Sequence, residues 1–138
     1  MKQRESIQHI MSTDLKTVHR RQNMAEVQAL MDTHHIRHLP VVEGDKVIGM
    51  LSRTDLMHVR YGAMKGREKD QTALLETLLV EEVMTETPQT IADSFSVREA
   101  GMLLFERDFS ALPVTNDDNQ LVGIVTTKDL MGYFLAQY

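Results

Sequence analysis

An internal duplication constrains this chain more than any other feature. Eleven residues return in the same order roughly half a chain length later. Seven pairs are offset by 73 positions: Met11/Met84, Thr17/Thr90, Glu26/Glu99, Leu30/Leu103, Leu39/Leu112, Pro40/Pro113 and Val41/Val114. Four later pairs are offset by 74: Gly49/Gly123, Asp55/Asp129, Leu56/Leu130 and Met57/Met131. The pattern predicts one structural unit built twice, with an extra turn residue in the second copy. Paired units of this kind usually bury their faces on each other and hold ligands at the seam.

Length and composition favour two small halves that share one core, although a single ordinary domain also fits 138 residues. Hydrophobic residues make up 42% of the chain, but aromatic residues only 5%. Burial must therefore come from aliphatic side chains and from the ten Met residues, which fill irregular gaps.

Charge, cysteine content and hydropathy exclude several classes of protein. The absence of Cys excludes disulfides and thiolate metal sites and suits a reducing cytosol. A formal net charge of −5 disfavours binding along a nucleic-acid backbone. No run approaches the roughly 20 apolar residues of a membrane span, and the N-terminus has no signal-peptide core. We expect a soluble cytoplasmic protein that binds neither nucleic acid nor membrane.

Periodicity and capping residues predict the same order of elements in both copies. Asn23 and Ser96 each precede a Glu by three residues and then an apolar helical stripe, so a helix begins after each. Two β-rich runs joined by a polar turn follow each helix, which is a hairpin pattern. These runs are residues 38–42 and 47–51, then 111–115 and 121–125. With a short strand around Thr17 or Thr90 and a final helix, each copy reads strand, helix, strand, strand, helix.

The ordered motifs closely resemble the cystathionine β-synthase (CBS) domain. Each copy has Met-Ser or Met-Thr at its start, Leu-Pro-Val in its middle and Gly-x-x-Ser/Thr-x-x-Asp at its end. Two such copies resemble a CBS pair, or Bateman module. The resemblance implies an α/β (α+β) fold in which two βαββα repeats pack with pseudo-two-fold symmetry. The repeats are expected over residues 5–62 and 78–137, with a linker over 63–77. The apolar pairs at 74–75 and 78–79 predict a helix that leads from the linker into the second repeat.

Asp55 and Asp129 are the first candidates for ligand contact. They follow Ser52 and Thr126 by three residues, where a strand gives way to a helix. A carboxylate at this point can accept hydrogen bonds from both vicinal hydroxyls of a ribose, and the hydroxyl residue and helix N-terminus can bind a phosphate. The same spacing is that of an ordinary helix cap, which needs no ligand. The two roles are compatible.

The resemblance implies that each ligand cleft draws on both copies, because the family takes most base contacts from the repeat that lacks the cleft's Asp. Carried over position by position, the first cleft comprises Ser52, Arg53, Asp55, Thr87, Ala92, Phe109, Ser110 and Ala111. The stretch 109–113 is then an adenine-binding wall, where backbone groups read the base edge. Strand packing is the alternative for Phe109, and a solvated position is the alternative for Arg53.

The second cleft has a different composition. It comprises Asp14, His19, Ile36, Arg37, His38, Thr126, Lys128 and Asp129. Asp14 stands where the other copy has Thr87, and two bulky, potentially cationic residues precede Leu39. This cleft is therefore either unoccupied or specific for a different ligand, with Arg37 and His38 facing phosphates. A solvated position is the alternative for Lys128.

Catalytic and metal sites find little support in the sequence. No nucleophile elbow, P-loop or Rossmann glycine pattern is present. His34 and His38 are four residues apart, but the helix is predicted to end between them and no third ligand lies nearby. We expect no enzyme activity, no metal and no required cofactor.

Two functions remain open. The first is a regulatory module that binds AMP, ADP, ATP or another adenosyl compound, forms a homodimer and reports occupancy to an effector protein. The second is a ligand-independent dimerisation or protein-docking module that uses the Met-rich helical faces and the apolar run at 74–80.

Overall fold

The computed structural model describes residues 4–62 and 68–138 of the chain. The chain forms two compact units. The central unit is Lys16–Thr87, and the terminal unit joins Met1–Leu15 to Pro88–Tyr138. The units therefore do not follow the order of the sequence copies, because the segment that leads each copy belongs with the unit of the other.

The central unit contains four helices and three strands within the described residues. In chain order these are α1 (Met24–His34), β1 (His38–Glu43), β2 (Lys46–Ser52), α2 (Arg53–Gly62), α3 (Glu68–Thr77), α4 (Val80–Val83) and β3 (Thr85–Glu86).

The terminal unit begins with a short 3₁₀ helix at Ile7–His9 and resumes after the central unit. Its further elements are β4 (Ile91–Ala92), α5 (Val97–Glu106), β5 (Ala111–Thr115), β6 (Leu121–Thr126) and α6 (Thr127–Leu135). This strand, helix, strand, strand, helix order confirms the expectation for the second copy.

Both sheets have the same order of segments. In the central unit β2 pairs with β1 and with β3, both antiparallel, and Val18 adds a parallel bridge to Val41 of β1. In the terminal unit β5 pairs parallel with β4 and antiparallel with β6, and Ser12 adds an antiparallel bridge to Ile124 of β6. Each sheet is thus completed by the leading segment of the other sequence copy.

Capping residues set the starts of the long helices, as expected from the sequence. The Asn23 side chain accepts a hydrogen bond from the Glu26 N–H at 2.9 Å and caps α1. Ser96 and Glu99 form a reciprocal capping box at α5, with distances of 3.0 and 3.1 Å. Glu26 makes no such return bond, since its carboxylate accepts from the Gln22 side chain. The box is therefore complete only in the second copy.

Each unit has its own hydrophobic cluster of aliphatic side chains. In the central unit Leu39 and Leu51 of the hairpin pack with the inner stripe of α1 and with Leu56 of α2. In the terminal unit Leu112 and Val125 occupy the matching hairpin positions. Burial covers consecutive strand residues, including all five of β5, so the sequence signal for the hairpins is a short apolar run and not a strict alternation.

Gly49 and Gly123 allow a close approach between the sheet and the leading segment. A Cβ atom on Gly49 would collide with the Met84 side chain, and one on Gly123 would collide with that of Met11. Each Met–Gly pair lies within a single unit, and the two pairs occupy equivalent positions in their units. The Met and the Gly that recur in the two sequence copies therefore pack against each other, once in each unit.

Two parts of the fold differ from the expectation. The strand expected around Thr17 is reduced to the one-residue bridge at Val18, although its counterpart β4 is a strand. The helix expected after the linker is present but begins earlier, because α3 spans Glu68–Thr77 within the region expected as a linker and buries Leu75 against the central cluster. Residues 63–67 of that region lie outside the described part of the chain. The repeat boundaries at 5–62 and 78–137 stay a prediction.

Candidate functional site

A hydroxyl residue and an Asp form a reciprocal cap where β2 runs into α2. The Ser52 N–H donates to Asp55 Oδ2 at 2.8 Å, and the Asp55 N–H donates to Ser52 Oγ at 3.1 Å. Both residues are partly buried. The capping role considered for this spacing is therefore realised in the structure.

The corresponding turn between β6 and α6 has the same geometry. The Thr126 N–H donates to Asp129 Oδ2 at 2.8 Å, and the Asp129 N–H donates to Thr126 Oγ at 3.1 Å. In both turns only Oδ2 of the carboxylate takes part in the cap. The other oxygen has no hydrogen-bond partner among the described residues, and it is not buried. Each carboxylate thus keeps one oxygen that is neither hydrogen-bonded to the described residues nor fully buried.

A second contact ties each turn to the segment ahead of the hairpin. The N–H of Arg53, the first residue of α2, donates to the Arg37 carbonyl at 2.8 Å. The Thr127 N–H donates to the Ser110 carbonyl at 3.0 Å in the same way. The next N–H of each helix, that of Thr54 or Lys128, is one that a helix leaves without an internal partner. Together with the helix dipole, this N–H favours a bound anion.

The central unit holds half of each predicted cleft. Ser52, Arg53, Asp55 and Thr87 come from the first set, and His19, Ile36, Arg37 and His38 come from the second set. His19 and Arg37 are exposed, and His38 begins β1. Ile36 packs against the hydrophobic cluster of this unit.

The terminal unit holds the other half of each set. Ala92, Phe109, Ser110 and Ala111 come from the first cleft, and Asp14, Thr126, Lys128 and Asp129 come from the second. Phe109 packs against the cluster of this unit, so the strand-packing alternative applies to part of its side chain. Ala111 is buried at the start of β5, whereas Asp14 and Lys128 are exposed.

Arg53 has an intramolecular partner that sequence reasoning missed. Its guanidinium lies 3.2 Å from Asp32 Oδ1 on α1, with both side chains about half exposed. The terminal unit has no equivalent, because Phe105 and Thr127 occupy the corresponding positions. Only contact between α1 and α2 brings Asp32 and Arg53 together, so local spacing carried no signal for this pair.

Thr87 has an unusual backbone conformation. Its φ is +48°, which for a β-branched residue is a genuine outlier and marks backbone strain. Thr87 lines an open concavity of about 380 Å³ with Glu43, Glu81 and Glu86, which does not include Asp55. Arg20 also lines this concavity and pairs with Glu81 at 3.9 Å, so the remaining carboxylates of Glu43 and Glu86 leave it with a net negative lining.

The described residues contain no group of three or more His, Asp or Glu side chains arranged to hold a metal ion. None of the helices in residues 4–62 and 68–138 combines the length and the apolar character needed to cross a membrane.

Comparison with known sequences identifies the repeat. The CBS domain profile matches the chain twice, over residues 7–62 and 80–136. The CBS domain-containing protein YhcV of Bacillus subtilis is 33% identical over 125 residues, which are 91% of this chain and 82% of that protein. Other relatives include inosine-5'-monophosphate dehydrogenases and homoserine O-acetyltransferases, and the chain spans only 21–24% of their length.

Solved structures of CBS pairs share the fold at lower identity. CBSX2, from Arabidopsis thaliana, was solved in complex with AMP and superposes with a TM-score of 0.80 at 23% identity, covering 96% of this chain and 98% of that one. The CBS domain pair of MJ0100, in complex with 5'-methylthioadenosine and S-adenosyl-L-methionine, also has a TM-score of 0.80 at 24% identity, covering 98% and 99%. With both repeats matched in sequence and in fold, the chain belongs to the CBS-domain family and is a tandem CBS pair.

Proposed function

We propose that this chain is a non-catalytic regulatory module that binds an adenine nucleotide or another adenosyl ligand in clefts between its CBS repeats. One observation carries the proposal: the two Asp turns have the same cap geometry, and each leaves one carboxylate oxygen unbonded and not fully buried. The helix cap uses only Oδ2 of each Asp, so the second oxygen is available to a ligand. This second oxygen is the acceptor that a ribose diol requires.

The cap prepares each turn for such a ligand. Because Oδ2 is already held by the N–H of Ser52 or Thr126, the carboxylate does not lose further side-chain freedom when the ligand arrives. Binding to a preorganised group avoids an entropic cost of about 0.5–1.5 kcal/mol per immobilised side chain. The neighbouring helix N-terminus then faces the phosphate or another polar group of the ligand.

The related structures support the adenosyl class without naming one ligand. CBSX2 was solved with AMP, and the MJ0100 pair with 5'-methylthioadenosine and S-adenosyl-L-methionine. Adenine and a ribose with its vicinal diol are common to all three ligands. A carboxylate that reads the ribose does not distinguish among them, so the groups outside the ribose decide the choice.

The two predicted clefts differ in their basic side chains. The first offers Arg53, which is paired with Asp32, together with neutral residues of the terminal unit. The second offers more basic side chains, namely Arg37, Lys128, His19 and His38, although it also holds the carboxylates of Asp14 and Asp129, so the difference lies in the number of basic donors and not in the formal net charge. We expect the second cleft to prefer the more highly phosphorylated ligand, and regulation to follow if the ligand binds one arrangement of the repeats better than another.

The test is a calorimetric titration of the full chain with AMP, ADP, ATP, NAD, S-adenosylmethionine and GTP. The variants Asp55→Asn and Asp129→Asn keep an oxygen for the cap but remove the carboxylate. Each should weaken binding of the adenosyl ligand at its own cleft by about 1–3 kcal/mol, because ribose hydroxyls lose a charged acceptor.

Glu99→Gln is the matched control, since Glu99 belongs to a capping box outside both predicted clefts. It should leave the affinity unchanged. If no adenosyl compound binds the wild-type chain, or if both Asn variants bind as tightly as the wild type, the ligand assignment is wrong. The assembly alternative, in which the module dimerises or docks without a ligand, would then be preferred.

A further inference from the structure

The chain leaves the central unit through a strained residue. Thr87 directly follows β3, has a φ of +48° and precedes Pro88, where the terminal unit resumes. A β-branched side chain disfavours a positive φ, and a proline favours an extended backbone at the residue before it. Two local preferences therefore oppose the conformation that Thr87 adopts.

The equivalent position of the terminal unit has no such conflict. Asp14 aligns with Thr87 in the duplication, and its φ is not positive. Asp tolerates the left-handed region better than Thr does. The residue that suits a positive φ thus lies where none occurs, and the residue that resists one lies where it does occur. Conflicts of this kind between local preference and fold are expected at functional sites, where the surrounding contacts hold the strain in place.

Few contacts hold β3 in its sheet. The strand has two residues, both exposed, which pair with Gly49 and Met50 at the edge of the sheet. The next bond runs from the Thr87 N–H to the Ile48 carbonyl and is 3.3 Å long. Packing of the Met84 side chain on Gly49 anchors the start of the strand. Segments with few buried contacts and exposed backbone bonds belong to the least stable parts of a fold.

We propose that β3 is a detachable edge strand and that Thr87 is its switch residue. The strained φ disfavours the paired state, so β3 leaves the sheet when Thr87 relaxes to an extended backbone. In the paired state Met84, Glu86 and Thr87 line the concavity of about 380 Å³ together with residues of the hairpin. In the detached state this concavity is lost, and the edge of β2 is exposed. The central unit therefore has two surfaces, one for each state of β3.

Detachment of β3 also gives the first predicted cleft a means of regulation, a step that rests on the proposed function. Thr87 belongs to that cleft, so a ligand that contacts Thr87 in its strained conformation binds the paired state better. Such a ligand shifts the equilibrium toward paired β3, whereas a ligand with equal affinity for both states shifts nothing. Detached β3 then reports an empty cleft.

Amide hydrogen exchange of the full chain, followed by NMR, measures the detachment. The readouts are the protection factors of the Thr85 and Thr87 amides. Thr87→Asn should raise both at least about 5-fold, because Asn tolerates a positive φ and the paired state then loses its strain. Thr87→Val keeps a β-branched side chain and should raise neither. Asp14→Asn is the matched control at the unstrained position, and it should leave the protection factor of the Ser12 amide unchanged.

Urea separates detachment from global unfolding. In the wild type, the Thr85 and Thr87 amides should be less protected than the slowest amides of the β1–β2 hairpin, and low urea concentrations should not change their exchange, because detachment exposes little surface. Equal protection and equal urea dependence in β3 and in the hairpin would overturn the proposal. An unchanged or lowered protection factor in Thr87→Asn would also overturn it.

AMP is the probe for the regulatory step. Saturating AMP should raise the wild-type protection factors of the Thr85 and Thr87 amides. Calorimetric binding of AMP without this rise overturns the coupling of β3 to the cleft. Absence of AMP binding overturns the proposed function for this ligand together with its coupling, whereas the comparison of the ligand-free variants decides the detachment of β3 by itself.

Discussion

The central unit covers its α1–α2 face with α3, whereas the α5–α6 face of the terminal unit is open and lined by aromatic and aliphatic side chains. The turns and hairpins of the two units, in contrast, are alike. The two Asp turns have identical hydrogen-bond distances, and both hairpins carry a register shift at the same place. The copies thus agree where backbone geometry positions the candidate ligand groups, and they differ where helices meet other surfaces.

The Asp turns and the outer helical faces are under different structural constraints, although both belong to the duplicated fold. A turn that presents a carboxylate oxygen works only if the strand, the cap and the helix start keep their geometry. A helical face tolerates exchange of Asp32 for Phe105, because both residues are compatible with an exposed helix position. The duplication therefore supports two similar turns together with two dissimilar outer faces.

The largest effect is expected from removing the cover of the central face. Leu75 is 6% exposed and packs in the central cluster, so Leu75→Ala should lower the free energy of unfolding by about 2–5 kcal/mol through lost burial and a residual cavity. Urea unfolding followed by circular dichroism measures the change. Leu74→Ala, at the adjacent and partly exposed position, should cost much less. Equal small effects of both variants would show that α3 does not cover this face.

Much of this architecture could be predicted from local sequence signals. Asn23 and Ser96 marked helix starts correctly, and the two hairpins lie within a residue or two of their expected positions. The Ser-x-x-Asp and Thr-x-x-Asp spacings predicted caps that the structure contains. These features depend on neighbours within about four residues, where spacing determines which groups can meet.

The parts that were missed depend on contacts distant in sequence. Nothing local indicates that Ser12 pairs with Ile124, or that β3 joins the sheet of the first hairpin. Helix α3 has a polar sequence, and its place in the fold comes from Leu75 packing on α1 and α2. The strained φ of Thr87 likewise carries no sequence signature. How the two halves of each predicted cleft combine remains a prediction for the ligand titrations.

A moderate effect is expected at the two Met–Gly contacts. These contacts are alike except that a backbone oxygen lies beside Gly49 and none is among the nearest atoms of Gly123. A Cβ at position 49 would meet the Met84 side chain and also the backbone oxygen of Thr85 at 3.2 Å. At position 123 the three nearest atoms all belong to the flexible Met11 side chain. Gly49→Ala should therefore destabilise the chain by about 1–3 kcal/mol through overpacking. Gly123→Ala should cost less, because Met11 can move and Ala restricts the unfolded chain.

Thermal unfolding of the two single variants tests this difference directly. Adding Met84→Ala to Gly49→Ala should recover only part of the loss, since the backbone oxygen of Thr85 stays in place. Adding Met11→Ala to Gly123→Ala should remove the clash completely. A Gly123→Ala variant less stable than Gly49→Ala would contradict the distinction between a movable side chain and a fixed backbone.

The smallest effect is expected from the Asp32–Arg53 pair, which only the central unit contains. The two side chains are about half exposed, so a double-mutant cycle with Asp32→Asn and Arg53→Gln should give a coupling of about 0.2–1 kcal/mol, weakened by salt. The Asp32→Asn variant also tests whether Arg53 contacts the ligand. If Arg53 contributes to the first cleft, Asp32→Asn frees its guanidinium and should tighten binding of AMP more than of adenosine, because only AMP carries a phosphate. An equal change for both ligands would instead assign Arg53 to holding α1 against α2, and the difference in basic donors between the predicted clefts would then rest on the second cleft alone.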